Sequence, residues 1–180
     1  MNKALLLIDI QKEYFENGAL ELVNPIAASE NAKKLLEHFR KENATIIHVQ
    51  HISGEGAPIF VPGTKGVEIH ENVKPLEGEK VITKQFPNSF RETDLLEYLQ
   101  SKEITHLVIA GMMTHMCIDA GTRAAVDFGF ECTVIGDACA TLNLKINGQE
   151  VNAADVHNAF LAALEFFYAK ITTTEEYLLS

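Results

Sequence analysis

Apolar residues in this chain fall into short unbroken runs, set between longer stretches with helical spacing. Ala4-Leu5-Leu6-Leu7-Ile8 is such a run and stops at Asp9. Five apolar residues without polar alternation read as a strand covered on both faces. The same pattern predicts strands at 44–49, 80–83, 107–110, 132–135 and 169–172. Helical spacing predicts helices at 25–41 (Ile26, Ala32, Leu35, Leu36, Phe39), 93–99 (Leu95, Leu96, Leu99), 118–128 and 153–168. In the last of these, Val156, Phe160, Leu164 and Phe167 share one side, and Thr174 is placed to cap a final turn through Leu178.

Strands alternating with helices imply right-handed βαβ units. The predicted fold is therefore α/β: a three-layer α-β-α sandwich on a mostly parallel, six-stranded, Rossmann-like sheet with helices on both faces. One domain over 1–180 suffices for this length. Two segments break the rhythm. Residues 51–79 hold five glycines and three prolines and read as a cover over a pocket or an arm toward a partner subunit. Residues 141–152 contain Asn147-Gly148, a hairpin turn signal.

Composition narrows the functions. A net charge of −10 argues against nucleic acid and against an anionic membrane surface. No apolar run reaches the ~20 residues of a membrane span, and the first run is too short for a signal-peptide core. Three cysteines without a C-x-x-C pair make neither a disulfide framework nor a zinc pattern, so the expected home is the cytoplasm.

In a parallel sheet, ligands gather at the carboxyl ends of the strands. Asp9 ends the first strand, Lys84 follows the third, and Cys117 lies just past the fourth, beyond Leu107-Val108-Ile109-Ala110-Gly111. All three are predicted to share that edge. A carboxylate, an amine and a thiol there form a covalent hydrolase: Asp9 takes the thiol proton, Lys84 holds the charges, and Cys117 attacks an amide-like carbonyl to give a thioester. A thiol at a helix start is also expected to ionise more easily. Taken singly, each has a plainer reading: a strand-end aspartate caps a loop, a strand-end lysine is solvated, and a cysteine packs.

With these residues placed, the chain resembles the isochorismatase-like cysteine hydrolase family. The matching segments are Leu6-Leu7-Ile8-Asp9-Ile10-Gln11 with Phe15; Lys84 with Asn88-Ser89-Phe90; Val108 through Cys117; Thr122-Arg123-Ala124-Ala125 to Gly129; and Asp137-Ala138-Cys139-Ala140-Thr141. The resemblance implies an Asp9–Lys84–Cys117 triad. It also implies a cis peptide between Met112 and Met113, aiming the Met113 N–H beside that of Cys117 as an oxyanion hole. It implies a homo-oligomer, dimer or tetramer, acting on a small molecule. Family members that cleave nicotinamide carry an Asp-x-His metal site after the second strand. Here the region reads His48-Val49-Gln50-His51-Ile52, so the expectation is no catalytic metal and no cofactor, with His48 and His51 lining or packing rather than binding a metal, while Cys117 points to C–N bond cleavage in small amides, carbamoyl compounds or lactams.

The expected pocket lining is Gln11, Phe15, His51, Phe60, Phe86, Met112 and His115. His115 could replace Asp9 as base, Thr114 is expected to cap the helix, and Cys132 and Cys139 are expected to be structural. Two other classes stay open: a redox-sensing thiol protein, in which Cys132 or Cys139 resolves an oxidised Cys117, and a non-catalytic member of the same fold.

Overall fold

A computed structural model describes residues 2–180. Among them, six strands form one parallel sheet in the order β3-β2-β1-β4-β5-β8. The strands are β1 (Lys3–Ile8), β2 (Thr45–His51), β3 (Lys80–Lys84), β4 (His106–Met112), β5 (Glu131–Ala140) and β8 (Lys170–Thr172). A separate antiparallel hairpin of β6 (Leu144–Ile146) and β7 (Gln149–Val151) turns at Asn147-Gly148, both with positive φ, as its sequence predicts.

The sheet is buried on both faces, which explains the unbroken apolar runs. Ala4, Leu6 and Ile8 of β1 join one core; Leu5 and Leu7 join the other. Helices α2 (Leu95–Ser101), α3 (Asp119–Asp127) and α4 (Ala153–Glu165) contribute Leu95, Leu99, Ala125, Leu161 and Leu164 to the first. Helix α1 (Pro25–Lys41) contributes Ala32, Leu35, Leu36 and Phe39 to the second, against which Tyr177 of α5 (Thr174–Leu178) packs. Among the described residues no helix is long and apolar enough to cross a membrane.

Several local expectations are corrected. β5 runs well past 135, because its ladder with β4 resumes after a register shift between Ile109 and Gly111. Cys139 therefore lies within this strand rather than after it. α4 ends at Glu165, so Phe167 leaves the apolar face and is 74% exposed, beside Phe166 at 91%. The last helix is capped by Thr173, whose side chain accepts from the Glu176 N–H in a capping box, not by Thr174. Thr114 caps nothing: its hydroxyl donates to the Ala140 carbonyl at 3.3 Å and meets His157 Nδ1 at 2.9 Å.

Candidate active site

The strand order reverses direction between β1 and β4, the switch point where parallel sheets open a crevice. Asp9 leaves β1 with φ of 52°, so the strand alternation stops there and the carboxylate turns into the crevice. Gly111 lets β4 pass close to β1: its φ is 139°, and a Cβ there would lie 2.0 Å from the Ile8 carbonyl oxygen. The peptide bond between Met112 and Met113 is cis. The chain then enters a π-helical turn, Thr114–Ile118, which carries Cys117 and leads into α3.

These elements bring the three predicted residues together. Lys84 Nζ lies 2.7 Å from Asp9 Oδ2 and 3.2 Å from Cys117 Sγ. Asp9 is fully buried, Lys84 2% exposed and Cys117 4% exposed. The ammonium also donates to the Phe86 carbonyl at 3.0 Å and approaches His51 Nδ1 at 3.3 Å. Burial works against the Lys84 charge, but the Asp9 carboxylate and the Cys117 sulfur outweigh it and raise the pKa. Cys117 goes the other way from the sequence expectation. Burial first, then the Asp9 carboxylate, raise its pKa well above the usual thiol range, against the opposing pull of Lys84. Burial and Asp9 thus favour the neutral thiol beside the Asp9–Lys84 ion pair. Beyond the ion contact with Lys84, neither Asp9 oxygen has a hydrogen-bond partner among the described residues, and one of them lies within 4.8 Å of the thiol and of the His51 ring.

Asp9, His51 and Cys117 lie close enough to one another to surround a cation. Lys84 Nζ sits among them at 2.7, 3.3 and 3.2 Å, so the cation in that position is the protein's own ammonium. A metal ion would have to displace it and expel the proton of a thiol that burial already holds protonated. His48 is elsewhere: it bonds Glu79 at 2.8 Å, deep under Arg40.

A cavity of about 290 Å³, lined by Ile52, Thr83, Lys84, Gln85, Phe86 and Glu92, opens beside the triad. Of the three residues only Lys84 is in its lining, and the Lys84 side chain is itself fully buried. A larger cavity, about 510 Å³, is at the opposite sheet edge, near Lys3 and Thr45, away from this chemistry.

The other expected pocket residues divide. Phe86 lines the cavity, its ring under the Arg91 guanidinium at 3.6 Å. His51 meets the triad directly, a stronger position than pocket lining. Phe60, with φ of 55°, packs on His51 at 5.0 Å and on Tyr14 at 5.1 Å, closing the site from above. Four expectations are corrected. Gln11 is fully buried, and its amide is used on backbone: Nε2 donates to the His51 and Val67 carbonyls, and Oε1 accepts from the His51 N–H. It fastens the irregular segment to the sheet edge. Phe15 stacks on His70 at 3.8 Å and does the same. Met112 is fully buried in the core. His115 bonds the Thr141 hydroxyl at 2.6 Å and packs edge-on against Phe160, so it is turned toward α4 rather than in place to act as base. Thr83, Gln85 and Glu92 were missed; their sole signal was proximity to Lys84 in sequence.

The isochorismatase domain pattern matches residues 3–176. The chain belongs to the isochorismatase family. It is 54% identical over 179 residues to the isochorismatase family protein YddQ of Bacillus subtilis, with 99% of each chain covered. A crystal structure of an isochorismatase from Pseudomonas putida superimposes with a TM-score of 0.93 at 35% identity, covering 97% of this chain and 89% of that one. A cysteine hydrolase from Pseudomonas syringae superimposes with a TM-score of 0.92 at 25% identity, covering 97% and 90%. The maleamate amidohydrolase of Pseudomonas putida is 28% identical over 188 residues, covering 96% and 84%.

Proposed function

We propose that the protein is a cysteine hydrolase that cleaves a C–N bond in a small amide, carbamoyl compound or lactam, without a catalytic metal. The observation that carries this reading is the Asp9–Lys84–Cys117 contact set, with the Lys84 ammonium 2.7 Å from the carboxylate and 3.2 Å from the sulfur. Similarity to a cysteine hydrolase and to a maleamate amidohydrolase supports the reaction class. As substrate enters, Asp9 takes the Cys117 proton and the thiolate attacks the carbonyl carbon. Lys84 balances the charge, and the N–H groups of Met113 and Cys117 receive the developing oxyanion. Asp9 returns the proton to the leaving nitrogen. Water then opens the thioester, with Asp9 again accepting a proton.

The test measures ammonia or amine release over a panel of neutral amides, N-carbamoyl compounds and lactams. Cys117→Ala is expected to abolish turnover, and Asp9→Asn to cut kcat by about 10²–10⁴. Undiminished turnover by Cys117→Ala would refute the assignment. A redox-sensing role is disfavoured by Cys132 and Cys139: both are buried in the core with thiols that burial pushes up to about 12.

A further inference from the structure

Away from the triad, a cavity of about 240 Å³ opens between the start of α1, the end of β5 and the start of α4. Two of its lining residues, His157 and Thr141, hold the turn that carries Cys117. His157 Nδ1 meets the Thr114 hydroxyl at 2.9 Å, and the Thr141 hydroxyl meets His115 Nδ1 at 2.6 Å. Thr114 donates its one hydroxyl proton to the Ala140 carbonyl at 3.3 Å, so it accepts from His157. The imidazole proton is therefore on Nδ1. Burial lowers the His157 pKa, which keeps the ring neutral at pH 7. Nε2 is left as a bare acceptor, with no hydrogen-bond partner among the described residues. The proposed hydrolysis uses neither this acceptor nor the cavity.

We propose that this cavity is a second ligand site, which takes a small uncharged amide and bears on the Cys117 turn through His157 and Thr141. Charge and hydrogen bonding set the ligand class. No lysine or arginine lines the cavity. Its one carboxylate, Asp137, is already engaged: Oδ1 accepts from the Thr174 N–H and hydroxyl at 2.7 and 2.8 Å, and Oδ2 from Asn31 at 3.1 Å. A charged ligand would find no free counter-charge there. What remains is neutral: the His157 acceptor and the side-chain amides of Asn24 and Asn158, each a donor and an acceptor together. Asn24 does not spend its side chain on capping α1. A primary amide matches that set. It gives an N–H to Nε2 and exchanges bonds with an asparagine through its own oxygen and nitrogen. Most of the remaining lining is alanine and valine, which suits a short alkyl chain. Donation to Nε2 polarises the ring and strengthens its Nδ1–H bond to Thr114, so the occupant tightens the start of the turn. Nothing in this requires Cys117 to hydrolyse amides.

Propionamide is the probe, titrated into isotope-labelled Cys117→Ala protein, in which no turnover intrudes, with backbone amides followed by NMR. The cross-peaks of Ala153, Ala154 and Asn158 are expected to move with one Kd, about 1–50 mM for so few heavy atoms. Those of Thr114 and His115 are expected to move with the same Kd, and the His157 Nε2 resonance to shift upfield as its lone pair takes a donor. Ala154 is exposed, so Ala154→Leu narrows the cavity without touching the core and is expected to abolish these shifts. His157→Phe keeps a ring and loses the acceptor, and is expected to raise Kd about 2–10-fold. Propionate and propylammonium are expected to bind more weakly than propionamide. Tighter binding of either ion overturns the uncharged class. Shifts that survive Ala154→Leu, or that are confined to Lys84, Gln85 and Phe86, overturn the site, and so does the absence of any saturable shift. Movement at Ala153 and Ala154 with Thr114 and His115 still overturns the link to the turn. Should Cys117→Ala fail to fold, the same titration of the unaltered protein decides.

Discussion

Lys84 offers three protons to a crowd of acceptors: Asp9, Cys117, His51 and the carbonyls of Phe86 and Pro87. Its charge is the element of the site least replaceable by packing. Lys84→Met strands the Asp9 carboxylate in a fully buried position, and breaking a buried pair from one side costs about 3–5 kcal/mol. Urea denaturation is expected to show that loss, and Asp9→Asn combined with Lys84→Met is expected to recover part of it. The thiol reports the same balance. Because burial and Asp9 keep Cys117 protonated, iodoacetamide at pH 8 is expected to alkylate it more slowly than free cysteine, and more slowly again in Lys84→Met. The position of Cys117 beside the other two residues was readable from strand ends, but its protonation was not. A helix-start argument counts only local dipoles, whereas the thiol answers to desolvation by the whole core. His115 shows the same gap: two residues from the nucleophile in sequence, it is held by Thr141 after β5 and by Phe160 of α4.

Elements aim the site through two tight features. Gly111 must lack a side chain, since any Cβ would strike the Ile8 carbonyl and its φ suits glycine alone. Gly111→Ala is expected to separate the ends of β1 and β4, with loss of turnover together with a lowered melting temperature in a thermal scan. The second feature is an anchor below the pocket. Glu79, just before β3, accepts from Arg40 of α1 at 2.6 Å, from His48 of β2 at 2.8 Å and from the Leu76 N–H at 2.9 Å. Burial would raise its pKa, but the Arg40 guanidinium and these donors win and hold the carboxyl at about 2. A folded pKa below the unfolded one gives stability that is full above the ordinary carboxyl range and fades as pH falls toward 2. Glu79→Gln is expected to cost about 1–3 kcal/mol at pH 7. Urea titrations at a series of pH values are expected to show the gap to the unaltered protein narrowing below about pH 4.5. Strand and helix identities were legible because apolar runs and helical spacing differ in period. The long β5 was not, because its bulge and the polar Asp137 hide a ladder that only β4 reveals.

At the scale of the whole molecule, one sheet separates two cores that share its strands, so neither face can open without the other. Unfolding in urea is expected to be a single transition, with tyrosine fluorescence and circular dichroism coinciding. Ellman's reagent is expected to find Cys132 and Cys139 unreactive before that transition and reactive together within it, as both are buried and unpaired. Hydrophobic periodicity alone dictated the alternating α/β order, and with it a shared edge for Asp9, Lys84 and Cys117, because a parallel sheet leaves few topologies to choose among. Contact distances, charge states and neighbours were decided in three dimensions. The protonated thiol, the His51 approach to Lys84, the backbone duty of Gln11 and the closing ring of Phe60 all arise between segments far apart along the chain. Desolvation and Coulomb forces act through space, and no spacing along a sequence encodes them.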